Sequence, residues 1–310
     1  MKKTDIVVIG AGVAGLSAAG YGARAGREVL IVEKLAEGGQ LMLIDKIVNY
    51  PGIDDISGYE LTEKMRKQTL EFGAKVVSGE LVSIEKKDNM FTVHLNNEEI
   101  EAKAVIIATG AQHRHLNIEG EEKYNGRGVS YCGTCDGPFF RNKKIFVIGG
   151  GDTALTDALY LSKLTDDITI VHRRDRFRAQ DNLIKQVEAS HIKKLMNFKP
   201  IEIEGDGNKV TGIELESTIN KHFEVFKTDA VFIFAGMLPA TGALDKKLLD
   251  EFGYVNANAN METAIDGIFV AGDVRNTPFR QIVTAASDGA IAAHVASEYI
   301  DKIDGMSYDK

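Results

Sequence analysis

The chain has 310 residues, a net charge of −8, and a composition of 44% hydrophobic and 26% charged residues. This length predicts about two domains of roughly 150 residues each, and the composition is ordinary for a globular protein. The acidic balance argues against nucleic acid or an anionic membrane as a partner, and no apolar run of about 18 residues predicts a transmembrane helix.

The N-terminal segment predicts a β–α–β unit. The apolar run Ile6–Ile9 is typical of a buried strand, and the Ala-rich segment Leu16–Arg24 predicts a helix. Val29–Val32 predicts a second strand, which ends at Glu33. The first strand and the helix are joined by the turn Gly10-Ala11-Gly12-Val13-Ala14-Gly15.

Two features favour a cytoplasmic location. The basic start and the apolar stretch after it also suit a signal peptide, but Asp5 and the glycines of the turn weaken that interpretation. The sequence contains only two cysteines, Cys132 and Cys135, whereas a secreted disulfide scaffold would carry more. Because the loop between them is so short, a bond there would stabilise the fold little, and a chemical role is predicted instead.

The middle of the chain repeats the N-terminal layout. Ile145–Ile148 predicts a strand, Ala154–Leu164 a helix, and Ile168–Val171 a strand that ends at His172. The first glycine of each turn, Gly10 or Gly149, lies 23 positions before Glu33 or His172. Such a repeat is far more specific than one glycine pattern. Further buried strands are predicted at 104–108, 230–234 and 267–271.

Both glycine turns are typical of dinucleotide sites, where glycines allow a tight turn and the close approach of a pyrophosphate to a helix N-terminus. Glu33 suits a ribose 2′-hydroxyl and would repel a 2′-phosphate, so the first turn favours FAD or NAD. The second strand is followed by Arg173, Arg174 and Arg178, which suit a 2′-phosphate and favour NADPH. A merely solvated arginine face is the alternative.

Cys132-Gly133-Thr134-Cys135 beside a β–α–β pattern predicts a redox-active pair. Asp136 follows directly and could exchange protons with the reduced thiols. A zinc site is an alternative that would need two more ligands, such as His113 and His115, and an inert pair is another. We predict no metal.

Together these motifs resemble the low-molecular-weight thioredoxin reductases of bacteria and archaea, over essentially the whole chain. The resemblance implies an α/β fold with two Rossmann-like domains, the NADPH-binding domain being inserted into the FAD-binding domain. The expected FAD-binding domain is 1–115 with 246–310, and the expected NADPH-binding domain is 116–245, which carries the cysteine pair.

The resemblance also implies the cofactor-binding residues. Those expected for FAD are Gly10, Gly12, Ala14, Gly15, Glu33, Lys34, Gly39, Gln40, Leu41, Asn49, Ala108, Thr109, Gly110, Gly272, Asp273, Arg280, Gln281 and Ile282. Those expected for NADPH are Gly149, Gly151, Asp152, Thr153, Ala154, His172, Arg173, Arg174 and Arg178.

The implied activity is NADPH-dependent reduction of the disulfide of thioredoxin or a similar small dithiol protein. Cys135 would face the flavin, Cys132 would attack the partner's disulfide, and Asp136 would act as the acid–base group. A homodimer is expected from the family. Alternatives are a related flavin-dependent dithiol oxidase or reductase with another donor or acceptor, and a nonenzymatic nucleotide-binding redox sensor.

The second turn departs from many relatives of that family. Asp152 stands where they carry Asn, and Thr156-Asp157 replaces a Glu-Glu pair. Asp152 would place a carboxylate near the expected pyrophosphate, which leaves the preference between NADPH and NADH open.

Overall fold

A computed structural model describes residues 2–44, 47 and 49–306, with the side chains of Leu43 and Cys135 outside the description. The chain forms two compact units. The discontinuous unit comprises residues 1–112 and 238–310, and the inserted unit comprises residues 113–237. Each unit has its own mainly parallel sheet, which lies in its own buried core.

The helices are given first, in chain order. They are α1 (Val13–Arg24), α2 (Gly58–Glu71), α3 (Gly133–Asp136), α4 (Asp152–Leu161), α5 (Asp181–Glu188) and α6 (Ile282–Ile303). Short 3₁₀ helices span Gly39–Leu43, Gly137–Phe140, Lys246–Leu248 and Gly272–Val274. No helix in the described part of the chain is long and apolar enough to cross a membrane.

The strands of the discontinuous unit are β1 (Lys2–Ile9), β2 (Val29–Glu33), β3 (Lys75–Ser78), β4 (Leu81–Lys87), β5 (Met90–Leu95), β6 (Glu99–Ile107) and β17 (Ile268–Val270). Those of the inserted unit are β8 (Val129–Ser130), β9 (Ile145–Gly149), β10 (Ile168–His172), β11 (Lys193–Met196), β12 (Phe198–Gly205), β13 (Val210–Ser217), β14 (Phe223–Lys227) and β15 (Ala230–Phe234). The segments that connect the units form β7 (Ala111–His113) and β16 (Met237–Pro239), which pair with each other.

The sheet of the discontinuous unit has the order β3-β2-β1-β6, with β17 on the far side of β6. These strands are parallel, and β4 and β5 extend the sheet in antiparallel fashion from the first half of β6. The order 3-2-1-4 is that of a doubly wound nucleotide-binding sheet. The strands predicted at 6–9, 29–32, 104–108 and 267–271 are all confirmed, with shifts of a few residues at their ends.

Both faces of this sheet are covered, which explains the continuous apolar runs in the sequence. Ile6 and Val8 of β1 lie in one core cluster, whereas Val7 and Ile9 lie in another on the opposite face. Each of these side chains is at most 3% exposed. Burying one such side chain stabilises the fold by about 1.5–3 kcal/mol.

The helices α1 and α6 lie unusually close together. A Cβ at Gly289 of α6 would overlap the carbonyl oxygen of Ala14, and the Ser17 hydroxyl donates to the carbonyl of Ala286 over 2.7 Å. Small residues permit this approach because α1 is built mainly from Ala and Gly. The packing fixes the start of α1 next to the segment that precedes α6.

The inserted unit repeats the doubly wound order as β11-β10-β9-β15-β8, and all of these strands are parallel. An antiparallel sheet of β12, β13 and β14 accompanies it. The predicted strands are confirmed, but the helix predicted to reach Leu164 ends at Leu161. The chain turns there because the carbonyl of Leu164 accepts a hydrogen bond from the backbone N–H of Asn142 rather than one within a helix.

Candidate functional site

The turn between β1 and α1 is tight and leaves open space at its centre. Gly10 has φ +105°, and a Cβ there would overlap the carbonyl oxygen of Ala108 on the neighbouring strand end. A Cβ at Gly15 would overlap the carbonyl oxygen of Gly10. At Gly12, in contrast, no described atom lies within 4 Å of the position that a Cβ would take. Gly12 is the N-cap of α1, and it offers no side-chain cap. Its open surface and the uncapped helix N-terminus suit a phosphate group.

The carboxylate of Glu33 lies at the C-terminal end of β2 and is oriented by two backbone amides. Ala11 N–H donates to Oε2 and Leu35 N–H donates to Oε1, each over 2.9 Å. A carboxylate has further acceptor capacity, so Glu33 can still accept hydrogen bonds from a ribose. Next to it, Lys34 and Ser78–Glu80 line a pocket of about 280 Å³. Sequence reasoning missed Ser78–Glu80, since they lie at the end of β3, a strand that was not predicted.

The segment 38–41 lies against the same turn. The backbone N–H of Gly38 donates to the carbonyl of Ala11 over 2.8 Å, and Gly39 lies next to Gly12. Gln40 donates its side-chain amide to the carbonyl of Ala111, and Leu41 is 2% exposed. These contacts bring Gly39, Gln40 and Leu41 to the edge of the glycine turn.

The ends of strands β6 and β17 lie beside the glycine turn between β1 and α1. Gly110 has φ +71°, and Thr109 donates its hydroxyl to the carbonyl of Ala240 over 2.8 Å. A Cβ at Gly272 would lie 2.8 Å from the Cβ of Ala14. The predicted residues Ala14, Ala108–Gly110 and Gly272 are therefore brought together at one edge of the sheet.

Asp273 directly follows Gly272, and Arg280 Nε donates to its carbonyl over 3.4 Å. Burial raises the pKa of Asp273, with the Arg280 cation opposing the rise and Asp288 adding to it. The Arg280 guanidinium stacks on Tyr254 at 4.3 Å. A partly buried carboxyl in such a place is well suited to bind hydroxyl groups, as a ribityl chain would offer.

The start of α6 is held by Gln281. Its side chain accepts from the N–H of Thr284, while Thr284 Oγ1 accepts from the N–H of Gln281, and Asn49 Nδ2 donates to Gln281 Oε1 over 3.0 Å. Ile282 is the first residue of α6. Asn49, Gln281 and Ile282 are thus neighbours. All the residues predicted for FAD lie in the discontinuous unit.

The second glycine turn, between β9 and α4, has the same construction. A Cβ at Gly149 would lie 2.7 Å from the carbonyl oxygen of Phe234, and a Cβ at Gly150 would overlap the His172 ring. Gly151 has nothing within 4 Å, and it begins α4 without a side-chain cap. Thr153 is exposed on the first turn of α4, and Ala154 is buried there. The turn therefore fits a second phosphate-bearing ligand.

Asp152 is engaged by a neighbouring helix start. Its Oδ1 accepts from the backbone N–H of Gln180 over 2.7 Å, and its Oδ2 accepts from the Gln180 side-chain amide over 3.0 Å. Gln180 is the N-cap of α5. The carboxylate expected near the pyrophosphate thus has its own donors.

An exposed group of arginines follows β10. Arg173, Arg174 and Arg178 are joined there by Arg176, which sequence reasoning did not select. Within the described residues, none of these four side chains forms an ion pair. His172 is 8% exposed, and burial together with Arg173 and Arg174 lowers its pKa. The cluster is a cationic surface beside the second turn. The alternation of Arg with other residues in 174–178 could have pointed to Arg176.

Cys132 lies at the start of α3 in the inserted unit and is disulfide-bonded. Its backbone N–H donates to Ser130 Oγ over 3.1 Å, Ser130 Oγ donates to its carbonyl over 3.2 Å, and the N–H of Asp136 donates to the same carbonyl over 3.2 Å. Gly133 N–H donates to Asp157 Oδ1 over 3.0 Å. The Cys135 backbone belongs to α3, while its side chain lies outside the described part of the structure.

The two histidines considered as zinc ligands are engaged with Tyr131. His113 stacks on the Tyr131 ring at 5.6 Å, and His115 Nδ1 lies 2.8 Å from the Tyr131 hydroxyl. That hydroxyl donates to Glu121 Oε1 over 2.6 Å. The described residues include no group of three or more side chains arranged to hold a metal ion.

Two nucleotide-binding turns and a disulfide-bonded cysteine on one chain define a dinucleotide-dependent disulfide oxidoreductase. The chain belongs to the family described as pyridine nucleotide-disulphide oxidoreductase, which matches residues 4–289. It is 46% identical to thioredoxin reductase of Treponema pallidum over 96% of this chain and 98% of the relative. It is 42% identical to thioredoxin reductase of Listeria monocytogenes, with 97% and 95% covered.

Solved structures agree. The chain is similar to the Lactococcus lactis thioredoxin reductase, with a TM-score of 0.86, 40% identity, and 96% and 99% of the two chains covered. The structure described as T. acidophilum thioredoxin reductase gives a TM-score of 0.84 at 36% identity, with 98% and 100% of the two chains covered. The predicted α/β fold class and family are therefore confirmed.

Proposed function

We propose that this chain is a thioredoxin-disulfide reductase that uses FAD and NADPH. Its relatives over nearly the full chain are thioredoxin reductases, and the observation that carries the proposal is the pairing of a disulfide-bonded Cys132 with two glycine turns. Bound FAD would accept two electrons from NADPH and pass them to the disulfide.

The cofactor assignments follow from charge. Glu33 at the first turn would repel a 2′-phosphate, which supports FAD in the discontinuous unit. The exposed arginines after β10 would attract a 2′-phosphate, which supports NADPH in the inserted unit. Asp152 is satisfied by Gln180, so its negative charge is less of an obstacle to a phosphate than the sequence suggested.

The thiol chemistry is assigned to Cys132 and Cys135. After two-electron reduction of their disulfide, the Cys132 thiolate attacks one sulfur of the partner's disulfide and displaces the other as a thiolate. Cys135 then attacks Cys132, which re-forms the internal disulfide and expels the second partner thiolate. Two protons are taken up by the partner, and Asp136 is the proposed group for moving them near the pair.

The finer partner assignments are also proposals. Thioredoxin or a similar small dithiol protein is the acceptor, a homodimer is the working assembly, and the cytoplasm is the location. The relatives' names support the acceptor. A chain with only two cysteines suits the cytoplasm, where structural disulfides are rare.

The test is NADPH oxidation, followed at constant enzyme with oxidised thioredoxin, for the wild type and Cys132→Ser. We expect turnover in the wild type and a loss of about a hundredfold or more in the variant, because the attacking thiolate is gone. Oxygen consumption without thioredoxin at the full rate would indicate a dithiol oxidase instead. No NADPH consumption with any dithiol protein would favour a redox sensor.

A further inference from the structure

The helix α3, which follows Cys132, and the 3₁₀ helix after it pack closely against α4. The contacts are made at two glycines four residues apart, Gly133 and Gly137. A Cβ at Gly133 would overlap the Asp157 carboxylate, and a Cβ at Gly137 would lie 2.7 Å from Leu161 Cδ2. Asp157 and Leu161 are likewise four residues apart, so they lie on one face of α4. The close approach brings the backbone of the cysteine loop onto the helix that begins at the second glycine turn.

Asp157 makes a specific contact in this interface. Its Oδ1 accepts from the backbone N–H of Gly133 over 3.0 Å. Gly133 directly follows Cys132, and Ser130 Oγ holds the Cys132 amide from the other side over 3.1 Å. The peptide groups on both sides of the Cys132 Cα are therefore fixed by side chains. Of these two anchors, only Asp157 is ionisable.

We propose that Asp157 is a positioning residue for Cys132, which it holds in place for thiol–disulfide exchange through the Gly133 amide. The inference rests on the proposed function, since it concerns the exchange step described above. The described contact of Asp157 with the cysteine loop is to the Gly133 amide and not to the Cys132 sulfur, so Asp157 acts through the backbone. When Asp157 is ionised, the hydrogen bond is charge-assisted and the loop is held most firmly.

The ionisation of Asp157 is unusual. Burial raises its pKa to about 6, and the Gly133 N–H opposes the rise. These two causes set the shift. No charge from the other described ionisable residues on the elements packed against α4 is among these causes; those residues are Asp136 on α3, His172 on β10, and Asp181, Lys185 and Glu188 on α5. The hydrogen bond to Gly133 should therefore change strength between about pH 5 and about pH 7.

The direct test measures the alkylation rate of Cys132 by iodoacetamide in a Cys135→Ser background, where Cys132 is the one remaining thiol. This readout needs neither thioredoxin nor NADPH, so it tests the positioning role even if the proposed function fails. The variants are Asp157→Asn, which keeps the acceptor oxygen, and Asp157→Ala, which removes it. The control is Asp166→Ala, a fully exposed aspartate of the same unit.

In the Cys135→Ser protein that keeps Asp157, the alkylation rate should show two inflections between about pH 5 and about pH 8. One lies near the pKa of Asp157 and the other near the pKa of the Cys132 thiol. Asp157→Asn should lack the first inflection and keep most of the reactivity. The companion assay is thioredoxin reduction, where Asp157→Ala should lower kcat about tenfold at unchanged KM for NADPH. Asp157→Asn should restore that rate to within about threefold.

Two results would overturn the proposal. One is an identical pH profile for the wild type and Asp157→Asn. The other is an Asp157→Asn variant as impaired as Asp157→Ala, which would show that the hydrogen bond is not the operative contact. A wild-type chain that fails to reduce thioredoxin while the alkylation profiles differ as expected would refute the proposed function alone.

Discussion

Replacing Gly12 by Ala should weaken FAD binding without destabilising the fold. Gly12 has φ −75° and ψ −173°, which Ala adopts readily, and nothing lies within 4 Å of the added Cβ. Losing glycine at an uncapped N-cap costs about 0.5 kcal/mol, and the lower entropy of the unfolded chain returns about 0.4–1 kcal/mol. The stability of the apoprotein should therefore change by less than about 1 kcal/mol.

The ligand, in contrast, should meet the new methyl group where the backbone must approach a pyrophosphate. We expect the affinity for FAD to fall at least about tenfold, which corresponds to about 1.4 kcal/mol. The assay is quenching of flavin fluorescence by the apoprotein, beside urea unfolding without flavin. Gly242→Ala is the matched control, because Gly242 also faces open space. A Gly12→Ala protein with wild-type FAD affinity would refute this assignment of the turn.

Three further perturbations test the electrostatics. Arg174→Ala and Arg178→Ala should each raise the KM for NADPH about tenfold or more and leave that for NADH nearly unchanged, because they remove only a 2′-phosphate contact; equal effects on both cofactors would contradict this. Because the pKa of Asp157 is raised to about 6, its ionisation should destabilise the folded state as the pH rises from about 4 to about 7. In urea unfolding, the free energy of unfolding of Asp157→Asn should equal that of the wild type at about pH 4 and exceed it by about 2–3 kcal/mol at about pH 8. Arg275→Ala should cost about 3 kcal/mol of stability, since it leaves the buried Asp288 carboxylate without its 3.0 Å ion pair, and a loss below about 1 kcal/mol would show that the pair is dispensable.

Much of the fold was predictable because the strands at the centre of each sheet are buried on both faces. Such strands appear as short apolar runs, as Ile6–Ile9 and Ala230–Phe234 do, and the glycine turns after two of them mark the helix starts. The outer strands β12–β14 carry alternating and polar residues, and they were not predicted. Their pairing depends on contacts between distant segments rather than on a local pattern.

The candidate site also contains residues that the sequence reveals and contacts that it does not. The glycines, Glu33 and the cysteine pair have side-chain chemistry that a local motif reveals. The hydrogen bond from Gly133 to Asp157 joins residues 24 positions apart, and no local pattern indicates it. Likewise, Asp152 could be located next to the second turn from the sequence, but its two bonds to Gln180 depend on how α5 packs against α4.

The central claim is that electrons pass from NADPH through FAD to the Cys132 disulfide. It is tested most directly by an anaerobic NADPH titration of the purified protein, followed by flavin absorbance and a count of free thiols. The wild type should take up about two equivalents of NADPH per FAD and expose two thiols, whereas Cys132→Ser should take up about one. A wild type that is bleached by one equivalent with its disulfide intact, or not bleached at all, would contradict the account.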